Sequence, residues 1–386
     1  MIRKHMLLFL VLSGLLAGGC GSNSGQSDLK QGMAAFSGKN YAAAIPCFNR
    51  AAKRITDSAD LYYTLGLSHL YLGELDPAQA AFNAALELQP DHGEAIACLG
   101  QIAFLQNDLP KATACYGQAL VAAASDASRA RILTSLALAE SGREHHDLAR
   151  LHLLRAQRLD HLYAPALYNL ASLYRDKFNL REEALDNFEM YLRLADKSEK
   201  HYEKAVNNVK RLRLNLERTQ AEEVESVKRD PAAAAKLMQE GMRQQLAKQH
   251  AKAIKAYRDA LAEDPLIFNA ALGLATVYKS QGQRAEAMEA FKRAAEISPN
   301  HQDSYFEAAE LALQLKRYAE AAKILDRAIA RSPFNPANAE LMARIRYSES
   351  RLPEARAYGE FYLSLLRPGD KNRAAYEKWV KSLPAK

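Results

Sequence analysis

Residues of matching type recur every 34 positions along this chain, and no other feature restricts its fold as tightly. Gly32, Gly66 and Gly100 form one column at that spacing, and Ala44, Ala78 and Ala112 a second. Phe48, Phe82 and Tyr116 make a third, and Ala51, Ala85 and Ala119 a fourth. The frame returns downstream, where Ala253, Ala287 and Ala321, then Ala260, Ala294 and Ala328, then Pro265, Pro299 and Pro333 keep step. Columns held in register over several units mark a repeat architecture, each unit being too small to bury its own apolar face. Composition agrees: of 386 residues, 48% are hydrophobic and 25% charged, which excludes wholesale disorder and collagen-like structure.

The residue types in the columns have a physical logic. Small residues let two helices approach closely, and the aromatic fills the space between them. Gly73 and Gly282 end a first helix by adopting a backbone conformation that strains other residues. Pro90, Pro265, Pro299 and Pro333 stop a second helix and set the entry of the next. The segment 59–92 carries Leu65-Gly66, Gly73, Ala78, Phe82, Ala85 and Pro90. The segment 268–301 carries Leu274-Ala275, Tyr278, Gly282, Ala287, Phe291, Ala294 and Pro299. These residues resemble the tetratricopeptide repeat, a pair of antiparallel helices. The resemblance implies an all-α fold, a right-handed superhelical solenoid of helix-turn-helix repeats. Nine units are framed, starting near Gly25, Ala59, Gly93, Ala130, Ala164, Ala234, Phe268, Gln302 and Pro336. The fourth starts three residues late, the fifth needs one extra residue between its helices, and the ninth has Gly359 where the aromatic belongs.

This frame sets the domain organisation. Residues 25–195 are an N-terminal array of about five repeats, and 234–367 a C-terminal array of about four. Between them, 196–233 is a charged helical connector in which Tyr202, Ala205, Val206, Val209, Leu212 and Leu216 predict a helix over 198–218. A more polar stretch, 219–230, follows. The charges of the connector read as a solvated face, with a hinge between arrays as the functional alternative. In 368–386, Ala374, Tyr376, Trp379, Val380 and Leu383 share one helical face, as a helix capping the exposed end of a solenoid requires.

Residues 1–20 have the layout of an export signal: Arg3 and Lys4, an apolar run over 6–16, then Ala17, Gly18 and Gly19 before Cys20. The run is shorter than the ~20 residues of a membrane-spanning helix. The segment resembles a bacterial lipoprotein signal, although Ala17 stands where Leu is usual. That resemblance implies loss of residues 1–19, acylation of Cys20, membrane attachment through the lipid, and a flexible tether over 20–27. No Asp follows Cys20, which points to the outer membrane of a bacterial envelope, facing the periplasm.

Little in the sequence suggests reaction chemistry. Cys47, Cys98 and Cys115 remain beyond Cys20; Cys98 and Cys115 fall on the two helices of the third repeat, where free buried thiols are expected over a disulfide. His145, His146 and His152 cluster in the fourth repeat, but adjacent histidines at a turn point apart and no metalloprotease-type motif accompanies them. No phosphate-binding glycine loop, nucleophile elbow or zinc CxxC pair is present, so no enzyme activity, metal or cofactor is expected. The net charge of +7 is mild and evenly spread, so no nucleic-acid partner is expected. What the resemblance implies is a groove lined by the first helices. Its lining would be Tyr63, Leu67, Leu70 and Tyr71 in the second repeat and Ala97, Gln101, Phe104 and Leu105 in the third. These suit an apolar peptide or helix, unless they pack on the neighbouring repeat. They do not supply the Lys and Asn of the clamp that holds a peptide's C-terminal carboxylate. Later repeats turn polar at the same places, with Lys279, Ser280, Asp303, Glu310 and Gln314. The expected function is a non-catalytic scaffold or adaptor, lipid-anchored in the cell envelope. It would bind peptide or protein partners, as in assembly of a pilus or secretin type of complex. The alternatives are an accessory of cell-wall enzymes, or an enzyme or metal protein using His145, His146 and His152.

Overall fold

A computed structural model describes residues 23–225 and 229–384; the signal, Cys20 and the first residues of the tether lie outside them. Every regular element among the described residues is a helix, so the all-α expectation holds. The chain divides into two compact units after residue 166.

The first unit holds four helix pairs. They are α1 (Asn23–Ser37) with α2 (Tyr41–Ala52), α3 (Ala59–Leu72) with α4 (Leu75–Leu88), α5 (Gly93–Leu105) with α6 (Leu109–Ala122), and α7 (Asp126–Gly142) with α8 (His146–Leu159). The helices start on side-chain caps where the sequence offers them: Asn40, Ser58, Asp108 and Ser125 each accept a hydrogen bond from a backbone N–H of the first turn. Each pair shares its core with the next. Leu29 and Phe48 of the first pair pack with Leu61 and Leu65 of the second. Tyr63 and Phe82 of the second pack with Cys98 and Ile102 of the third, and Tyr116 of the third with Ile132 and Leu136 of the fourth. No pair has a core of its own, which is why the unit must repeat to fold. The late start of the fourth repeat is absorbed by α7, whose 17 residues exceed the 14 of α3.

Two sequence expectations need correction here. Residues 23–27, of which the sequence assigns 23 and 24 to the tether alone and 25–27 to both tether and first repeat, are the first turns of α1. Gly25 is buried there, and a Cβ on it would lie 3.2 Å from Cβ of Arg54, so this stretch already belongs to the first repeat. The sequence predicts a boundary between arrays at 195, whereas the division falls in the first turn of α9 (Ala164–Leu173). The fifth pair therefore belongs to the second unit. Within that unit α10 (Arg181–Leu194) packs against α11 (Tyr202–Glu225), and its Glu182 and Glu183 pair with Arg331.

The extra residue of the fifth repeat appears as a π turn, Tyr174–Phe178, between α9 and α10. The connector helix is longer and later than the sequence predicts. Ser198 donates from its N–H and hydroxyl to Asp196 at 2.8 and 2.6 Å, which holds a turn before α11. The helix then runs on through Glu225 into the stretch expected to be a polar link. After it come α12 (Pro231–Leu246) and α13 (His250–Glu263), α14 (Phe268–Ser280) and α15 (Arg284–Ile297), α16 (Gln302–Gln314) and α17 (Tyr318–Arg331), and α18 (Pro336–Ser348) and α19 (Leu352–Leu365). Helices α4, α13, α15 and α17 each end two residues before Pro90, Pro265, Pro299 or Pro333.

The aromatic column fills the gap left by the small one. An added Cβ would lie 2.6 Å from Phe82 at Gly66, 2.9 Å from Tyr116 at Gly100 and 2.6 Å from Tyr257 at Gly241. The ninth repeat inverts the arrangement: Gly359 leaves a hollow, and α20 (Arg373–Ser382) fills it with Val380, which would lie 2.6 Å from a Cβ there. Arg373 Nη1 donates to the Leu363 carbonyl and Arg356 Nη1 to that of Leu383, fixing the cap at both ends.

The turn inside each pair needs one left-handed residue. Gly73 and Gly282 supply it without strain at φ 81° and 71°. The other seven pairs use Lys39, Asn107, Glu144, Asn179, Lys248, Lys316 and Ser350 at φ between 54° and 64°, at a cost of roughly 1–2 kcal/mol per residue other than glycine.

Candidate functional site

The face with binding potential in the first unit is that of the first helices, α1, α3, α5 and α7. Five of the eight groove residues predicted from sequence are interior. Tyr63, Leu67, Leu70, Ala97 and Gln101 are each 6% exposed or less. The Tyr63 ring lies 5.9 Å from Phe82 and 4.8 Å from His92, in the core between the second and third pairs. These five are corrected from groove to core, because the neighbouring pair covers the helix face they occupy. Burial also pushes the Tyr63 phenol and the Cys98 thiol well above their ordinary pKa ranges.

Tyr71, Phe104 and Leu105 are half-buried and reach the surface. Tyr71 stacks on Tyr41 at 4.4 Å and lies 5.9 Å from Phe36. Phe36 was missed from sequence, yet it stands 34 residues before Leu70 and 68 before Phe104, so the repeat period itself identifies it. Leu72 and Leu138, 43% and 40% exposed, extend the apolar character of this unit's surface.

The histidines do not assemble. His145 Nδ1 lies 2.8 Å from Oε2 of buried Glu140, which also takes Arg143 at 3.3 Å. His152 is half-buried on α8 with its Nδ1 enclosed, and burial, with Arg155 adding to it, pushes its pKa down to about 3. Among the described residues no three His, Cys, Asp or Glu side chains are placed to hold a metal ion, so the metal-site alternative is withdrawn. Cys47, Cys98 and Cys115 are free thiols.

In the second unit the corresponding helix faces are charged. Lys279 of α14 pairs with Glu307 of α16, and Arg344 of α18 lies 3.8 Å from Glu310 of α16 and 3.6 Å from Glu340 of its own helix. A cavity of about 530 Å³ opens among α13, α14 and α15. Leu261 and Leu274 line it, and Arg258 and Glu286 give it walls of opposite charge. The Arg258 guanidinium lies 5.7 Å over the Tyr278 ring.

Comparison with known proteins bears on both units. Sequence models of the tetratricopeptide repeat match residues 63–128, 239–302 and 278–345. Superkiller complex protein 3 of Mus musculus is 27% identical over 321 residues, 81% of this chain and 19% of that protein. This chain thus spans about a fifth of the curated relative's length. Among solved structures, MamA 41-end from Desulfovibrio magneticus RS-1 is 19% identical with a TM-score of 0.41, covering 45% of this chain and 97% of its own. YrrB, described as a TPR protein with an unusual peptide-binding site, is 17% identical with a TM-score of 0.33, covering 70% and 97%.

Proposed function

Since the chain belongs to the tetratricopeptide-repeat proteins, we propose that it is a non-catalytic scaffold that holds peptide or protein partners on the faces of its first helices. The observation that carries this reading is the row of half-exposed aromatics, Phe36, Tyr71 and Phe104, on three successive pairs of the first unit. Rigid aromatic side chains bury much apolar area on binding with few rotors to immobilise. Photocrosslinkers placed at Phe104 and Tyr71 in cells should yield discrete protein adducts. A crosslinker at buried Tyr63 should yield none. Equal labelling from all three positions, or from none, would remove the groove from the proposal.

The anchor belongs to the same reading. Its support is the order of charge, apolar run, small residues and Cys20 in the sequence, which fits a lipid-attached protein of a bacterial envelope, at the outer membrane facing the periplasm. Three α1 residues, Ser24, Gln26 and Ser27, are polar and exposed close behind that cysteine. A role in assembling an envelope complex follows from this location together with the scaffold. Replacing Cys20→Ser should move the protein from the membrane to the soluble fraction; retention in the membrane would mean that another feature holds it there.

A further inference from the structure

Among the described pairs of the second unit, the fifth departs from the pattern: its first helix ends in the π turn and a single long helix, α11, follows it. Arg175 in that turn donates to Asp176 through Nε and Nη2 at 2.6 and 2.7 Å. Its guanidinium lies 5.6 Å over Phe188, and its Nη1 is enclosed without a partner. The Asp176 carboxyl is held below its ordinary pKa by the Arg175 hydrogen bond first, with the charges of Lys204 and Arg211 adding to it. Both cations are therefore close enough for their charge to act on the π turn. With Asn208 they stand at i, i+4 and i+7, one face of α11. Asn208 is 6% exposed, accepts from Arg211 Nη2 at 3.5 Å and leaves its Nδ2 donors unmet.

The charge pattern of α11 has one sign here. Between Glu203 and Glu217 it carries Lys204, Lys210, Arg211 and Arg213 and no carboxylate. Arg213 is tied to Glu189 at 2.6 Å; Lys204 and Arg211 are exposed and have no carboxylate in hydrogen-bond contact among the described residues. Cations with no carboxylate in contact, beside unmet buried donors, suit an anion. The Cα atoms of Lys204 and Arg211 stand roughly 10 Å apart along the helix, a span that several carboxylates on one chain cover and a single compact oxyanion does not.

We propose that this face of α11 and the adjoining π turn form a docking site for an acidic segment of a partner polypeptide, with Lys204, Asn208 and Arg211 receiving its side-chain carboxylates. The proposal rests on the scaffold reading above and assigns it a partner chemistry in the second unit.

The test uses the full chain and a fluorescein-labelled octapeptide of alternating Glu and Ser, followed by anisotropy. Binding should saturate, weaken as salt is raised and fall roughly tenfold or more when Lys204→Glu and Arg211→Glu are combined. Reversing Lys30→Glu and Lys39→Glu, the same change of net charge, should leave binding intact. Unchanged affinity in the first double variant, or equal loss in both, would overturn the site. Displacement of the peptide by inorganic phosphate beyond the effect of matched sodium chloride would overturn the acidic-segment assignment in favour of a compact oxyanion. Photocrosslinking from Phe104 in the unaltered chain separates the two levels. Adducts formed there while the peptide fails to bind the unaltered chain would overturn this site alone, and absence of both would remove the scaffold reading too.

Discussion

The two units share one 34-residue frame but join their repeats differently. In the first, neighbouring pairs meet through apolar clusters such as Tyr63, Phe82, Cys98 and Ile102, and ion pairs such as Asp28 with Arg50 and Glu140 with Arg143 lie within a pair. In the second, the apolar column persists in Tyr257, Phe291 and Leu325, and charges bridge successive repeats as well. Lys279 meets Glu307, Lys292 meets Glu320 at 2.7 Å and Arg344 lies 3.8 Å from Glu310. A repeat frame therefore specifies how helices pair while leaving open what the paired surface presents. The first unit offers aromatics and the second offers charge.

The largest effect that probes this contrast is loss of a column aromatic. Phe82→Ala should destabilise the first unit by about 3–5 kcal/mol, with hydrogen exchange rising across α3 to α6 and unchanged across α14 to α19. A rise in both regions would show that the units unfold together and that the contrast has no energetic meaning.

Acid should separate the units next. The folded pKa of His152, about 3, lies below the ordinary ~6.5, so the unfolded chain binds the proton more readily. That stability is complete above pH ~6.5 and drains as pH falls towards 3, with on the order of 1–2 kcal/mol gone by pH 5. In the second unit the Asp264 carboxyl is held down by Arg229 and that of Glu320 by Lys292. Their contribution is complete above the ordinary carboxylate range and is lost only as pH falls below ~4. Trp379 is the single tryptophan and lies in α20 of the second unit. At pH 5, melting by circular dichroism should acquire an early phase that Trp379 fluorescence lacks, and His152→Gln should remove it. A shared shift in both signals would count against a difference between the units.

Smaller effects sharpen the comparison. Lys39→Gly in the first unit and Lys248→Gly in the second should each gain about 0.5–1 kcal/mol in denaturant titrations, since both residues hold left-handed turns. Gain in one unit alone would mean that the turns are not equivalent. Smallest of all, Lys279→Ala should cost the second unit about 0.2–1 kcal/mol at low ionic strength and nothing at high salt.

Much of this was legible in the residues. Gly66 and Phe82 announce a close helix pair, and the structure puts them in contact. Gly359 and the apolar face of Tyr376, Trp379 and Val380 were each visible, but nothing in the sequence said that one fills the other. The groove was the least legible. Tyr63 and Tyr71 are two turns apart on α3, and their types do not tell which one the next pair covers. Five of the seven left-handed turns without glycine were hidden for a similar reason: Lys, Glu and Ser carry no local preference for that conformation, and helix pairing imposes it, whereas Asn107 and Asn179 are of a type that tolerates it.

The amino-acid sequence by itself determined that helices form, where they stop and that they pair, because capping, turn chemistry and close small-to-aromatic contact act between residues near in the chain. The tertiary structure alone decided which helix faces stay open, that the fifth pair joins the second unit, and that a π turn meets the basic face of α11. Those outcomes depend on what stands opposite a side chain, and the angle of a residue about its own helix does not contain that information.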